Sequence, residues 1–314
     1  MFELIFLGTS ASAPSVRRGL SAQVIKHDEH RFLLDCGEGT QRQILRSGIG
    51  FRGLSRILIT HGHLDHILGL AGLFSTFTRW ETMEQVEIFA GGWALERIHA
   101  LLYDVRVIPK KFTAVEVKFT EVQPGTIIQE EDFSIEAFPV THRGPDCYGY
   151  LFEERARRPF LVEKAEALSV PAGPARRDLV NGKSITLEDG REVKPDEVLG
   201  EETPGTKLVH TGDTGRTDNI LEYARHADAL VTEATYIEEE AEMAKDFHHL
   251  TAQQAADLAK KAEVNKLILT HISRRYRERD VRDEARAVFP NSIVARDFDV
   301  FQVKRGEVKK VVES

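Results

Sequence analysis

Cysteine is nearly absent from this 314-residue chain: Cys36 and Cys147 are the only two, and they form no CxxC pair. Two lone cysteines suit a reducing compartment, each serving as a small buried apolar residue. Long hydrophobic runs are missing as well. No stretch approaches the roughly 20 apolar residues that span a bilayer, so no membrane partner is expected. The N-terminal Met1-Phe2-Glu3-Leu4 places an acid where a secretion signal wants a basic residue; it reads as a first strand, and a cytoplasmic protein is expected. Net positive charge is lacking too. At -8 the chain is a poor candidate for coating nucleic acid non-specifically, because such binding neutralises phosphates, and DNA is not expected as a partner. A local basic patch on an acidic body remains compatible with that charge, and an RNA substrate would require one. Internal repeats and low-complexity tracts are absent.

What is present is an apolar content of 41%, enough for a full core. Short apolar runs read as strands over Glu3–Leu7, Arg31–Asp35, Arg56–Thr60, Val86–Ala90, Lys207–His210, Ala229–Thr232 and Lys266–Thr270. Helical patterns cover Thr40–Arg46, Leu68–Phe77, Trp93–Val105, Thr251–Lys261 and Val281–Val288, with Thr251 and Gln254 forming a capping box. Strands mixed with helices in this way predict an α/β (α+β) chain of sheets covered by helices. One segment, about 153–205, has little periodic apolar character and holds five prolines, Pro159, Pro171, Pro174, Pro195 and Pro204. It reads as an arm inserted in a single domain spanning 1–314, with a hairpin expected around Asn181-Gly182. The charged turn Lys26-His27-Asp28-Glu29-His30 reads as solvated.

The densest chemical signal is His61-Gly62-His63-Leu64-Asp65-His66, directly after the apolar run Ile57-Leu58-Ile59. Imidazoles and a carboxylate at the carboxyl end of a strand suit zinc or a related divalent ion. These four side chains cannot fill two coordination shells, and three later residues offer completion. His142, Asp213 and His271 each follow a strand-like run. Any one of them alone is more often structural; with the six-residue cluster they make a set.

That set resembles the metallo-β-lactamase superfamily, whose HxHxDH motif is matched by His61, His63, Asp65 and His66. The resemblance implies a four-layer αββα sandwich with two zinc ions per subunit, manganese or another divalent ion being possible substitutes. It implies that His61, His63 and His142 hold one ion, that Asp65, His66 and His271 hold the other, and that Asp213 bridges. Phe6-Leu7-Gly8-Thr9, Asp35-Cys36-Gly37-Glu38-Gly39-Thr40-Gln41, Thr232-Glu233-Ala234-Thr235 and His271-Ile272-Ser273-Arg274-Arg275-Tyr276 further resemble the ribonuclease Z family, short form. This likeness runs along nearly the whole chain. It implies a homodimeric endoribonuclease that removes the 3′ trailer from precursor tRNA.

By the same resemblance Asp65 also accepts a proton, while Glu233 and His249 pass one to the leaving 3′ oxygen. Asp35 braces the metal loop without binding metal. Gly173-Pro174 matches the arm that clamps tRNA away from the active site, and Arg18, Arg275 and Tyr276 match residues that meet the substrate. The chain departs from the family pattern in four places. Thr232 stands where a histidine is usual and Leu250 where a serine is, while Val16 and Gly19 replace the lysine and asparagine of a basic loop. The rival reading is a metal-dependent phosphodiesterase of small or cyclic phosphodiesters, against which the arm speaks, because a small substrate has no use for it. A thioester hydrolase would share the HxHxDH motif and lack the arm.

Overall fold

A computed structural model describes residues 1–80, 83–104 and 115–311. Alternation along its strands decides what each face must meet. In Phe2–Gly8 the side chains of Phe2, Leu4 and Phe6 turn one way and Ile5 and Leu7 the other, and all five are buried. A strand buried on both faces needs a layer on either side.

The chain divides into two compact units, Met1–Glu153 with Thr206–Ser314, and Glu154–Gly205. The first contains two sheets. One has eight strands in the spatial order Glu307–Val311, Val300–Lys304, Phe2–Gly8, Ala22–His27, His30–Leu34, Arg56–Leu58, Gln85–Ala90, Glu116–Glu121. The other has seven, in the order Ser292–Val294, Lys266–Thr270, Ala229–Glu233, Lys207–His210, Tyr148–Glu154, Phe133–Pro139, Gly125–Gln129. Between them lies an aromatic-rich core in which Phe2, Phe6 and Phe32 face Phe133, Tyr150 and Phe152. Each such ring, fully buried, contributes about 1.5–3 kcal/mol.

Helices cover the two outer faces. Ile44 from Thr40–Arg46, Phe74 from Gly69–Trp80 and Ile98 from Gly92–His99 pack with Ile5 and Leu7 on the first sheet. Ala255, Leu258 and Ala259 from Ala252–Lys261 pack with Leu267 and Leu269 on the second. The result is the four-layer αββα sandwich. Thr251 caps Ala252–Lys261, its hydroxyl accepting from the Gln254 N–H while the Gln254 side chain accepts from the Thr251 N–H. The helix expected over Trp93–Val105 ends its α-helical part at His99 and continues as a π-helical turn, Ala100–Asp104; Val105 lies outside the described residues.

One expectation fails at a hairpin. His27 pairs with His30 across a turn made by Asp28 and Glu29, so only those two are the exposed, charged turn. Period-two alternation sends His27 inward, where its ring lies 4.9 Å from Phe2 and 4.6 Å from Phe133.

The second unit has its own small core of Ala165, Val170, Leu179, Val193, Val198 and Leu199. Its helices, Val162–Ala167, Pro174–Val180 and Pro195–Val198, are too short to display periodicity in the sequence. The hairpin is not at Asn181-Gly182. Pro174 opens a helix, Asn181 ends it, and Gly182 with φ 80° follows; Asn-Gly serves a helix end as well as a hairpin. The strands that do pair are Ile185–Thr186 and Glu192–Val193. Arg157 and Thr203 exchange backbone hydrogen bonds of 3.0 and 2.9 Å, so the segment leaves and returns at one point.

Candidate metal centre and active site

Every ligand-type residue lies just beyond the carboxyl end of a strand of the first unit. After Arg56–Leu58 the chain reaches Thr60, whose N–H and hydroxyl both donate to Asp35, and then enters the histidine cluster. Gly62 is required by packing: a Cβ there would lie 2.9 Å from the ring of Trp93. Gly212, beside Asp213, has φ +63°, and a Cβ would sit 2.9 Å from that of Thr60. Asp35 and His271 hold φ values of 56° and 55°, a left-handed conformation that non-glycine residues adopt at local cost and that concentrates at functional sites.

Two triads result. His61 Nε2 lies 2.9 Å from His63 Nδ1, which lies 3.2 Å from His142 Nε2. Asp65 Oδ2 lies 3.8 Å from His66 Nε2 and 3.4 Å from His271 Nε2. Asp213 Oδ2 stands between them, 3.9 Å from both His61 Nε2 and His142 Nε2, 3.4 Å from His66 Nε2 and 3.3 Å from His271 Nε2. One carboxylate oxygen is therefore within 4 Å of imidazoles from both triads.

The far side of each ring is tied down. His61 Nδ1 meets the Thr60 hydroxyl at 3.0 Å, His66 Nδ1 meets Asp35 at 2.7 Å, His142 Nδ1 donates to the His248 carbonyl at 2.7 Å, and His271 Nδ1 meets the Thr235 hydroxyl at 2.9 Å. Such partners orient metal-binding imidazoles. Burial, reinforced by neighbouring imidazoles, holds His61 well below its ordinary pKa and His63 at about 4, so both stay neutral with lone pairs available. At His66 burial also opposes protonation, but Asp213, Asp35 and Asp65 outweigh it and push the pKa up. Burial would raise the Asp213 pKa, yet His271, His66 and His61 hold it well below the carboxylate range. The pocket favours positive charge.

These residues fit divalent-cation binding. His66 Nε2 is buried without a hydrogen-bond partner, and each triad's ligand atoms lie within 4.8 Å of one another. Imidazole and carboxylate are the donor types that zinc takes.

Beside the triads, His249 Nδ1 lies 2.8 Å from Glu233 Oε1, with His249 at 8% exposure and Glu233 at 1%. Burial would lower the His249 pKa, but the Glu233 carboxylate raises it to about 9. A buried imidazole held by a carboxylate at one nitrogen can deliver a proton from the other.

Positive charge gathers next to this site. Two adjoining clefts of about 740 and 580 Å³ share Ser15 to Arg18, and their walls add Arg274, Arg277 and Arg296 in one and Arg42 and Arg46 in the other. The same walls also hold Glu278 and Asp297 in the first cleft and Glu38 and Asp297 in the second.

Comparison with known proteins follows the same line. Residues 2–158 match the family model of the anti-Pycsar protein Apyc1, and residues 181–272 match that of the beta-lactamase superfamily domain. A ribonuclease Z of Bradyrhizobium diazoefficiens is 45% identical over 302 residues, 95% of this chain and 99% of that one. A ribonuclease Z of Archaeoglobus fulgidus is 38% identical over 96% of this chain and 98% of its own length. The chain belongs to the ribonuclease Z family. The fold agrees: human tRNase Z, short form, superposes with a TM-score of 0.67 at 24% identity, covering 96% of this chain and 99% of that one.

Within the ribonuclease Z pattern the departures have visible consequences. Thr232 is buried and accepts a 2.9 Å hydrogen bond from Thr211. Leu250 packs in the core beneath the second sheet, while its N–H donates to Glu233 Oε2 at 3.2 Å. Val16 is fully exposed, and Gly19 N–H donates to Asp297 at 2.6 Å.

The residues expected to meet substrate are placed differently from one another. Arg18 is largely committed to the protein, donating to Thr9, the Ala295 carbonyl and Glu278. Arg275 is half exposed and pairs with Glu240 at 2.9 Å, and the Tyr276 hydroxyl donates to the same carboxylate. Gly173, with φ 103°, and Pro174 lie in the second unit, where Pro174 opens a helix. Sequence reasoning missed Glu240, Thr60 and Thr235. Threonines and acids of this kind carry no spacing signal.

Proposed function

We propose that the chain is a zinc-dependent endoribonuclease that removes the 3′ trailer from precursor tRNA, leaving a 3′-hydroxyl on the tRNA and a 5′-phosphate on the trailer. The observation that carries this reading is the position of Asp213 Oδ2 between two histidine-rich triads in a ribonuclease Z chain. His61, His63 and His142 would hold one ion, Asp65, His66 and His271 the second, with Asp213 bridging. Bound there, divalent ions supply Lewis-acid chemistry, lowering the pKa of water and neutralising charge on a phosphodiester.

The chain's own groups do the rest. Asp65 accepts the proton of the attacking water. His249, held through Nδ1 by Glu233, presents Nε2 and gives its proton to the leaving 3′ oxygen, a poor leaving group without one. The arginine-lined clefts, with Arg18 lining both, Tyr276 lining the first and Arg275 its neighbour in the chain, bind RNA phosphates, for which guanidinium is suited. The Glu154–Gly205 unit, with Gly173 and Pro174, grips the tRNA. The working form is a cytoplasmic homodimer; among the described residues no helix is long and apolar enough to cross a membrane.

The deciding experiment is an assay of metal-loaded protein on tRNA bearing a 3′ trailer, with the cut and its end groups mapped. A single cut near the tRNA 3′ end, with the end groups stated, is expected. Turnover of small or cyclic phosphodiesters with the trailer left intact would overturn the reading.

A further inference from the structure

Thr235 is a small buried residue, 4% exposed, to which the reaction as described gives no task. Its hydroxyl oxygen nonetheless lies 2.5 Å from Glu233 Oε2 and 2.9 Å from His271 Nδ1. A hydroxyl has one proton to donate and lone pairs to accept with, so the direction of each bond is decidable. Glu233 accepts on both oxygens: Oε1 from His249 Nδ1 and the Thr214 N–H at 2.8 Å each, and Oε2 from the Leu250 N–H at 3.2 Å. An ionised carboxylate cannot donate. The Thr235 proton has only acceptors in reach on that side, Glu233 Oε2 at 2.5 Å and the more distant His271 carbonyl at 3.1 Å, and with the proton given to the shorter contact the Thr235 oxygen is left to accept. His271 Nδ1 must then carry a hydrogen, which leaves the lone pair on Nε2, the atom that faces Asp65 and Asp213 at 3.4 and 3.3 Å.

We propose that Thr235 is a positioning residue that fixes the metal-binding tautomer of His271 by relaying the Glu233 carboxylate to it. One buried acid thus serves two imidazoles: His249 directly, and His271 through a hydroxyl. The arrangement is the hydroxyl-bridged counterpart of the carboxylate–imidazole–metal pairing, and it ties occupancy of one metal position to the group that orients His249. The inference rests on the reading of His271 as a metal ligand.

The test compares Thr235→Val, which keeps the shape and loses the hydroxyl, with Thr235→Ser, which keeps the hydroxyl. Zinc affinities of both positions are read by competition with a chromophoric chelator. Thr235→Val should weaken one position by about 10–100-fold, the usual effect of removing such a partner, and leave the other within about twofold. Thr235→Ser should restore most of the loss. Equal affinities in the valine variant and the native protein would overturn the proposal. His271→Ala is the control: if it binds both ions normally, the ligand assignment itself has failed, and the Thr235 result is not the cause. Should the valine variant not fold, nitrogen NMR of the native zinc-loaded protein decides, because His271 must show a protonated Nδ1. A protonated Nε2 overturns the proposal.

Discussion

His66 Nδ1 lies 2.7 Å from Asp35 Oδ2, and both side chains are essentially sealed from solvent. Asp35 also accepts from the Thr60 N–H and hydroxyl, so a single acid orients the His66 ring and closes the turn that carries the cluster. Asp35→Ala should lower metal affinity about 10–100-fold. It should also destabilise the metal-free protein by about 3–5 kcal/mol, the cost of leaving one partner of a buried pair alone. Chelator competition and urea unfolding read the two effects, and a variant matching the native protein in both would refute the bracing role.

Metal content follows from the convergence on Asp213. Protein purified without chelator should carry close to two zinc-type ions per chain, and exhaustive chelation should abolish hydrolysis until zinc is returned. Asp213→Ala should eliminate turnover. Full activity with one ion by elemental analysis would contradict a two-ion site.

The Glu154–Gly205 unit can be excised cleanly, because Arg157 and Thr203 are already hydrogen-bonded neighbours and the unit has its own core. Replacing the chain between these two residues with a glycine turn should weaken binding of trailer-bearing tRNA strongly. Hydrolysis of bis(p-nitrophenyl) phosphate should persist. Equal loss of both activities would assign this unit a role in folding instead.

A leaving 3′ alkoxide needs a proton, whereas p-nitrophenolate departs unaided. His249→Ala should therefore slow trailer removal by about 10²–10⁴-fold, the usual worth of a positioned acid, and cost far less on the nitrophenyl ester. His248→Ala should be nearly silent, since its side chain is exposed and its carbonyl, which accepts from His142, survives the change. Parallel losses on both substrates would remove His249 from the acid role.

The pH profile supplies a separate check. Burial lowers the His249 pKa, Glu233 more than compensates, and the balance stands at about 9. The protonated, donating form is thus present at neutral pH and lost as pH rises through about 9, giving an alkaline limb to trailer cleavage. In Glu233→Gln the raising charge is gone while burial remains, so that limb should move to lower pH. An unmoved limb would mean that another group sets it.

Some of this was legible because the information is local. His61, His63, Asp65 and His66 stand within six residues, and the short apolar run Glu3–Leu7 reads as a strand. Helix boundaries read well where caps and length cooperate, as at Thr251 with Gln254. The helices of the Glu154–Gly205 unit did not, since four to seven residues contain too few turns to show a period. His27 was misjudged because the charges beside it belong to the turn and not to its own face of the sheet.

Chain order and composition determined the ligand types, the layered α/β architecture and the interruption between 153 and 205, since each is written in short-range pattern. Distance was decided by the tertiary structure alone. His142, Asp213 and His271 reach the cluster only because the strands they follow end at one rim of the two sheets. Hydrogen-bond direction was decided there as well. Whether a threonine such as Thr235 faces solvent or bridges a carboxylate and an imidazole depends on which acid and which ring packing brings to its hydroxyl, and no spacing in a sequence encodes that.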